Sequence, residues 1–299
     1  MGVRALSLFF GPQVPVPAPP EITEALERVE VESAIGERGT FRLTFRAGEH
    51  AAQNALLPEP GHLTRVSLVL RGGSHASVIM EGVAVVHTLA SGADGRTSLV
   101  VSGEDLTRVM DLVTIDQSFP LIPLHMRVQL LLAKYAVFGV VPLVIQPPGS
   151  TVPIPTDATQ HATDYAYIRA LADIAGFRFT LDPGSAPGSS IAYWGPEPRP
   201  VPEPALAMDF GRPPVETVQL SFDASALLVT PPQPARAVTG AGTLDVERAG
   251  VRLRSGGGVD VRGAGKPFDG LFHVNRVRHT ITRDTHTQAF ELKRAGGVP

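Results

Sequence analysis

A period-two alternation of apolar and polar residues recurs along this chain and predicts β-strands. In Phe41–Phe45, for example, apolar side chains occupy every second position, as expected for a half-buried strand. The turn dipeptide Asp94-Gly95 predicts a hairpin. Similar patterns predict strands at Val66–Leu70, Ser77–Leu89, Thr97–Ser102, Phe177–Leu181, Ile191–Trp194, Val215–Phe222, Val251–Arg254, Leu271–Thr282 and Thr287–Lys293.

One segment has all the signals of a helix. Thr163 or Asp164 can cap its N-terminus, and Gly176 stands where a left-handed C-terminal cap is expected. Between these caps the apolar stripe has helical three-four spacing: Tyr165, Ile168, Leu171 and Ala172.

Two further helices are predicted. Val128–Val137 is apolar enough to be a buried helix. A short helix is expected to begin at Ser102 or Gly103, with Glu104 and Asp105 near its positive end.

Proline-rich stretches divide the chain into four segments. We predict a Pro-rich N-terminal segment (1–20), a strand-rich domain with a short helix (21–120), a helix-containing middle region (121–204) and a second strand-rich domain (205–299). The expected fold class is mixed α+β, mainly β, with two similar β domains on either side of the middle region.

The likeness of the two β domains lies in one hairpin of each. Glu81–His87 followed by Thr97–Val101 has a counterpart in Asp269–Val274 followed by Thr287–Leu292. In both, an acidic residue and a glycine open a strand, and a threonine opens the returning strand. An internal duplication and a chance likeness between two hairpins both remain open.

Composition excludes several functions. The 26 basic and 29 acidic side chains form no long run of one sign, so binding to the outside of nucleic acid is not indicated. The chain has no cysteine, which excludes disulfides and thiolate chemistry. Ala5–Phe10 is too short for a signal peptide and Val137–Ile145 too short to span a membrane, so we expect neither.

Candidate ligand sites are weak. His273, His279 and His286 are the densest histidine group, but strand-surface or interface histidines explain them better than a zinc site. Gly263–Pro267 resembles a fragment of a phosphate-binding loop, yet Asp260 replaces the first glycine and Pro267 the Ser/Thr that would bind magnesium.

Candidate catalytic groups are no stronger. Gly73-Ser74-His75 lacks the strand-turn-helix context of a serine nucleophile. A pair of carboxylates could cleave a glycan, but solvated or helix-terminal positions explain the candidates better: Glu104, Asp105, Asp111 and Asp116. An aromatic group could line a ligand cleft but is better explained as core: Tyr165, Tyr167, Phe177, Phe179, Tyr193 and Trp194. We therefore predict no catalytic residue, no cofactor and no metal site.

Two longer stretches resemble a known family. Thr163–Ala172 continuing to Gly176–Phe179 and Tyr193–Pro196, and the ending Asp269–Ile281 with Phe290–Arg294, are similar to late control D-type hub proteins of phage tails. They are equally similar to the hub region of the VgrG spikes of type VI secretion. The likeness runs from about Val29 to Gly296.

The resemblance implies two similar β-barrel domains per chain and a trimeric ring that joins the sixfold tail tube to a threefold spike. Interface residues are not assigned by it. The implied partners are the chain itself, a tube protein, a spike protein and baseplate proteins, in a virion tail or injection particle. The chain ends soon after Lys293, without the OB domain and needle of VgrG, so the spike is expected to be a separate polypeptide. The long loop Thr230–Gly265 is a candidate contact.

Two alternatives to a structural hub remain. A tail-associated peptidoglycan hydrolase would use the carboxylates named above. A carbohydrate- or receptor-binding β module would use a cleft around Tyr193 and Trp194.

Overall fold

A computed structural model describes residues 6–47, 63–72, 75–92, 96–149, 158–196, 206–209, 215–227 and 238–294. The chain divides into two compact units. The first comprises Met1–Val29 and Arg38–Glu197, and the second comprises Glu30–Glu37 and Pro198–Pro299. Each unit is described by itself below.

The first unit begins with a mainly antiparallel sheet. Its strands are β1 (Leu6–Gly11), β2 (Val16–Pro17), β3 (Leu26–Ala34, of which the first four residues belong to this unit), β4 (Thr40–Ala47), β5 (Arg65–Gly72), β6 (His75–Ser91) and β7 (Thr97–Asp105). The strand order is β3-β4-β7-β6-β5-β1-β2. Helix α1 (Pro20–Ala25) precedes β3, and helix α2 (Thr107–Met110) follows β7.

The rest of the first unit is an α/β lobe, defined here as residues 107–195. After α2 it contains β8 (Thr114–Ser118), α3 (Leu124–Ala133), a 3-10 helix (Lys134–Phe138), β9 (Val140–Val144), β10 (Thr159–Thr163), α4 (Asp164–Ala175), β11 (Arg178–Pro183) and β12 (Ser190–Gly195). Strand β8 pairs with β10, and a three-stranded sheet has the order β11-β12-β9. Side chains from α3, α4 and this sheet form one core around the fully buried Trp194.

The second unit contains the remaining elements. These are β13 (Leu206–Asp209), β14 (Thr217–Phe222), a 3-10 helix (Ala224–Leu227), β15 (Val238–Asp245), α5 (Val246–Ala249), β16 (Gly258–Arg262), β17 (Gly270–Ile281) and β18 (His286–Arg294). Their strand order is β14-β15-β18-β17-β16-β13. The buried core includes Met208, Val259, Phe272, Val277 and Phe290.

The two units share one strand order. In the first unit, β3 and β4 precede β7 and β6, and β5 and β1 follow beside β6. In the second unit, β14 and β15 take the places of β3 and β4. Strands β18 and β17 correspond to β7 and β6, and strands β16 and β13 correspond to β5 and β1. The hairpins that look alike in sequence, β6–β7 and β17–β18, therefore occupy equivalent positions in their sheets. One pairing differs, because β13 runs parallel to β16 whereas β1 runs antiparallel to β5.

The predicted fold class, mixed α+β and mainly β, is confirmed. The predicted helix within 163–176 is also confirmed at both ends: the hydroxyl of Thr163 accepts a hydrogen bond from the amide of Ala166, and Gly176 is left-handed with a φ of 68°. A closed barrel is not seen in the pairing of the described strands, which in each unit does not return to its first strand.

Three local predictions are wrong in whole or in part. Glu104 and Asp105 do not begin a helix but end strand β7, because pairing with β4 and β6 on both sides holds this segment extended. The predicted buried helix Val128–Val137 is confirmed as far as Ala133, with Val128, Leu131 and Leu132 buried, but its last four residues lie in a 3-10 helix that has no fully buried side chain. Val251–Arg254 is irregular rather than a strand.

The predicted long loop Thr230–Gly265 is also corrected, since it contains β15, α5 and β16. Two glycines in β15, Gly240 and Gly242, hide the strand pattern in the sequence. The structure shows why glycine occurs at these positions. A Cβ on Gly240 would lie 2.7 Å from Leu220, and one on Gly242 would lie 2.3 Å from the carbonyl oxygen of Thr217. At Gly242 the backbone of the neighbouring strand thus approaches too closely for a side chain, whereas at Gly240 the leucine side chain takes up the space.

Candidate assembly surfaces

Two of the four candidate carboxylates share a single guanidinium. Arg38 donates to Glu104 and to Asp111, both over 2.7 Å, and its Nε donates to the hydroxyl of Thr107 over 3.0 Å. Burial acts to raise the pKa of Asp111, but hydrogen bonds from Thr163 and Arg38 outweigh it and hold that pKa below its ordinary value. Glycan cleavage needs one carboxyl that stays protonated. The charged form of Asp111 is favoured instead, and its hydrogen bonds with Arg38 and Thr163 fit a structural role.

Asp105 is the buried member of this group. It accepts hydrogen bonds from the amides of Gly39 (2.5 Å) and Thr107 (2.9 Å), and from the Thr107 hydroxyl. Burial raises its pKa to about 6, against the lowering effect of those hydrogen bonds. The side chain ties the β3–β4 connection to the start of α2 and is withdrawn from solvent. Asp116, by contrast, is exposed and lies 2.7 Å from His161.

The histidine group is only partly brought together. His279 and His286 lie in contact in the second unit, with 3.0 Å between Nδ1 of the first and Nε2 of the second. Within the described residues, no group of three or more His, Cys, Asp or Glu side chains is placed to hold a metal ion.

The glycine-rich loop Gly263–Pro267 is bound by its own chain. The amide of Ala264 donates to Asp269, so a carboxylate already occupies the position where an anion would bind. Arg294 donates to the carbonyl oxygens of Pro267 (2.7 Å) and Asp269 (2.8 Å). These bonds account for the loop as a structural turn. The other motif, Gly73-Ser74-His75, includes two residues that lie outside the described residues.

The aromatic group belongs to the core of the α/β lobe. The rings of Phe177 and Trp194 meet edge to face at 4.9 Å, and the indole N–H donates to the carbonyl of Ile168. Tyr193 is buried, with its hydroxyl bound to the carbonyl of Pro196. The packed ring of Trp194 therefore fills the space in which the alternative prediction of a ligand cleft would place a ligand.

Sequence reasoning missed a buried ion pair in the first unit. Arg65 lies on β5 and Glu81 on β6, and their side chains are 3.0 Å apart. Arg65 also donates to the carbonyls of Gln13 and Phe138, while Glu81 accepts from the amide of Gly188. Nothing in a single sequence signals this cluster, because its members come together only through strand register and lobe packing.

The α/β lobe exposes an unusual amount of apolar surface. It carries eleven of the nineteen large apolar side chains that are exposed in the described residues. On its three-stranded sheet, Val141 pairs with Ile191 and Leu143 with Tyr193, so these side chains share one face. The opposite face packs Val140, Ala192 and Trp194 into the core. On α3 and the 3-10 helix, Met126, Leu130 and Val137 form an exposed stripe.

A second exposed feature is half of a strand. Strand β6 pairs with β5 only up to Val83, whereas its pairing with β7 continues to Ser91. The amide of Ala84 still donates to the carbonyl of Thr64, so in the described residues the half from Val85 to Ser91 has a strand on one side only. Val86 and Leu89 in this half are more than half exposed. A long, apolar, one-sided strand is a ready site for pairing with another chain.

Comparison with known proteins places this fold among those of phage tails. A tail protein from Neisseria meningitidis MC58 superposes with a TM-score of 0.67 and 16% identity, covering 99% of this chain and 98% of that one. The 43 kDa tail protein of prophage MuSo2 from Shewanella oneidensis gives 0.67 and 11%, covering 98% and 97%. At such identities the likeness is one of fold.

A third similar structure comes from an injection machine. It is a component of the Escherichia coli type VI secretion system, described as structurally similar to the tail proteins gp27 and gp5 of bacteriophage T4. It superposes with a TM-score of 0.65 and 12% identity, covering 92% of this chain and 77% of that one.

No family model matches the chain, and no curated protein matches its sequence. None of the helices described here is long and apolar enough to cross a membrane.

Proposed function

We propose that this chain is a structural hub subunit of a phage tail or a related contractile injection machine, and that it acts by assembly rather than catalysis. The observation that carries the proposal is the shared six-strand order of its two units. One polypeptide thereby offers two equivalent units to its neighbours, as an internal duplication would produce. The fold that it shares with tail proteins supports the same role.

Two equivalent units per chain would allow a ring of this chain to join a sixfold structure to a threefold one. Three copies in a ring would present six similar units to a sixfold tail tube on one side. The same ring has true threefold symmetry for a trimeric spike on the other side. The proposed partners are accordingly other copies of this chain, a tube protein, a separate spike protein and baseplate proteins, as in late control D-type hubs.

The exposed surfaces support assembly. The apolar sheet face and helix stripe of the α/β lobe, and the one-sided half of β6, are features that partner chains cover in large complexes. Charge gives no competing indication, since the net charge is only −3.

The test is the mass of the particle that the purified chain forms, alone and with a tail tube protein. A trimer of this chain, whose mass is 31.7 kDa, gives about 95 kDa in native mass spectrometry or light scattering. The expected result is this trimer, free or on the end of tube rings. A monomer that binds neither itself nor the tube contradicts the proposal.

A matched pair of variants tests the one-sided half of β6. Val86→Lys places a charge on that strand, and Val16→Lys places one on β2, where the valine is equally exposed, 56% against 53%. Because β2 has only two residues, it is too short to pair with another chain. We expect Val86→Lys to prevent the trimer and Val16→Lys to leave it intact.

The alternatives predict different results. Clearing of a peptidoglycan zymogram, abolished by Glu104→Gln or Asp111→Asn, would favour a cell-wall hydrolase. Binding to a glycan array, abolished by a substitution at Tyr193, would favour a carbohydrate-binding module.

A further inference from the structure

The hairpin of β17 and β18 contains two buried histidines near its turn. Ile281 and His286 form the last pair of the hairpin, and the Thr282 amide closes the turn on the Thr285 carbonyl over 2.9 Å. The rings of His279 and His286 stack, with centroids 5.3 Å apart. Both side chains are buried.

The direction of the hydrogen bonds between these rings is set by Gln288. Its amide oxygen accepts from the N–H of Leu253 and its amide nitrogen donates to the carbonyl of Leu253, both over 2.9 Å. A flipped amide would oppose donor to donor and acceptor to acceptor. The remaining hydrogen of the Gln288 amide therefore points at Nε2 of His279, 3.2 Å away.

This direction determines the protonation of both rings. Since Nε2 of His279 accepts from Gln288, its proton resides on Nδ1 and is donated to Nε2 of His286. The acceptor nitrogens that join the two rings to each other and to Gln288 already face N–H donors. A second proton on Nε2 of either ring would oppose a donor hydrogen, so the network holds only neutral rings.

Burial and the positive charges beside the pair act in the same direction. Burial, followed by the effects of His286, Arg252 and Arg254, lowers the pKa of His279 to about 3. Two other packed elements carry acidic groups already engaged in structure. Asp245 at the end of β15 accepts the amides of Glu247 and Arg248 in α5, and Glu32 of β3 binds Arg276 and Arg278. The other charged residues on the elements packed beside the hairpin are Glu30 on β3, Arg283 and Asp284 in the turn, and Glu247 and Arg248 in α5.

We propose that His279 and His286 form an acid-sensitive latch, which holds the turn end of β17 and β18 closed while both rings are neutral and releases it in mildly acidic solution. Opening of the hairpin is coupled to protonation of the two histidines, and this coupling determines how opening depends on pH. In the open hairpin each ring regains a histidine's ordinary affinity for protons, so opening is favoured as the pH falls below about 6.5. Between pH 7.5 and pH 5, each freed histidine increases the open population about 30-fold.

The first test needs no variant. In the full chain labelled with ¹⁵N histidine, two-dimensional NMR of the ring nitrogens reports which nitrogen carries the proton. We expect both rings as Nδ1–H forms that stay neutral at pH 6. A charged His279 ring at pH 6 in a hairpin whose amides remain protected overturns the proposal.

The second test is hydrogen exchange of the hairpin amides, corrected for the intrinsic effect of pH. Exchange in residues 279–287 should accelerate at least 30-fold at pH 5 relative to pH 7.5. The double variant His279→Phe/His286→Phe keeps two stacked rings and should lose the acceleration. His273→Gln is the matched control, since burial also lowers the pKa of His273 on the same strand, and it should keep the acceleration. Equal acceleration in the double variant would contradict the latch.

Discussion

Arg65 and Glu81 form an ion pair 3.0 Å long whose two side chains are 2% and 1% exposed. The guanidinium also binds the carbonyl of Phe138 at the end of the 3-10 helix, and the carboxylate binds the amide of Gly188 in the β11–β12 turn. One pair of charges thus joins the sheet of the first unit to two separate segments of its α/β lobe. Burial lowers the pKa of Arg65 and raises that of Glu81, so each ion depends on the other.

Removing one partner should therefore be costly. Arg65→Met leaves a buried carboxylate and should lower the free energy of unfolding by about 3–5 kcal/mol. The double variant Arg65→Met/Glu81→Gln removes both charges, keeps an acceptor for Gly188 and should recover much of that loss. Urea unfolding followed by the fluorescence of Trp194, the chain's single tryptophan, measures the first unit.

Two controls make this prediction specific. Burial raises the pKa of Glu81 and Arg65 acts to lower it, so in Arg65→Met the carboxylate takes up a proton more readily and the loss should be smaller at pH 5 than at pH 8. Asp173→Asn breaks the exposed pair with Arg178 and should change stability by less than about 1 kcal/mol. A double variant no better than Arg65→Met would mean that lost packing, not the unpaired charge, determines the effect.

Gly139 and Gly176 provide a comparison of two left-handed positions. Their φ angles are 74° and 68°, but a Cβ on Gly139 would lie 2.0 Å from the carbonyl oxygen of Gly188, whereas one on Gly176 would meet nothing within 4 Å. Gly176→Ala should cost about 1–2 kcal/mol for the backbone conformation alone. Gly139→Ala should cost about 1–3 kcal/mol more, because a backbone carbonyl must move. Equal losses in denaturant unfolding would show that the turn adapts freely.

The contribution of Asp105 to stability should depend on pH in the opposite direction to that of the histidine latch. Burial raises its pKa from 3.8 to about 6, so its contribution to the stability of the first unit is complete below pH 3.8 and is lost as the pH rises through 6. The loss is about 3 kcal/mol. Asp105→Asn should remove this part of the pH dependence, although its NH2 group would face either the Gly39 amide or the Thr107 donors and lower stability overall. The measurement is the difference between the unfolding free energies of both proteins from pH 4.5 to pH 7. A difference that does not change with pH would mean that Asp105 is charged throughout.

Even a conservative substitution of Arg38 should lower the stability of the first unit. Its planar guanidinium serves Glu104, Asp111 and Thr107 at once and lies 4.7 Å from the ring centroid of Tyr165. Lysine carries the charge but cannot reproduce this geometry. Arg38→Lys should lower stability by about 1–2 kcal/mol and Arg38→Ala by about 2–3 kcal/mol, both measured by Trp194 fluorescence. Full stability in Arg38→Lys would show that only the charge matters.

Local patterns in the sequence predicted many of the elements. The alternating segment Phe41–Phe45 lies in strand β4. Thr163 caps the N-terminus of helix α4 and Gly176 caps its C-terminus, as predicted. These predictions succeeded because period-two alternation and helix caps depend on residues close together in the chain. The short helix predicted to begin at Ser102 or Gly103 begins only at Thr107, because pairing of β7 with two strands outweighs local preference at Glu104 and Asp105.

The sequence by itself determined that this chain folds as a mainly β protein with one well-capped helix, and that two of its hairpins look alike. Only the tertiary structure decided that those hairpins take equivalent places in two sheets of the same strand order. It also decided that Arg65 meets Glu81 and that His279 meets His286. The physical reason is the same in each case, since strand register and packing, rather than neighbouring residues, bring these groups together.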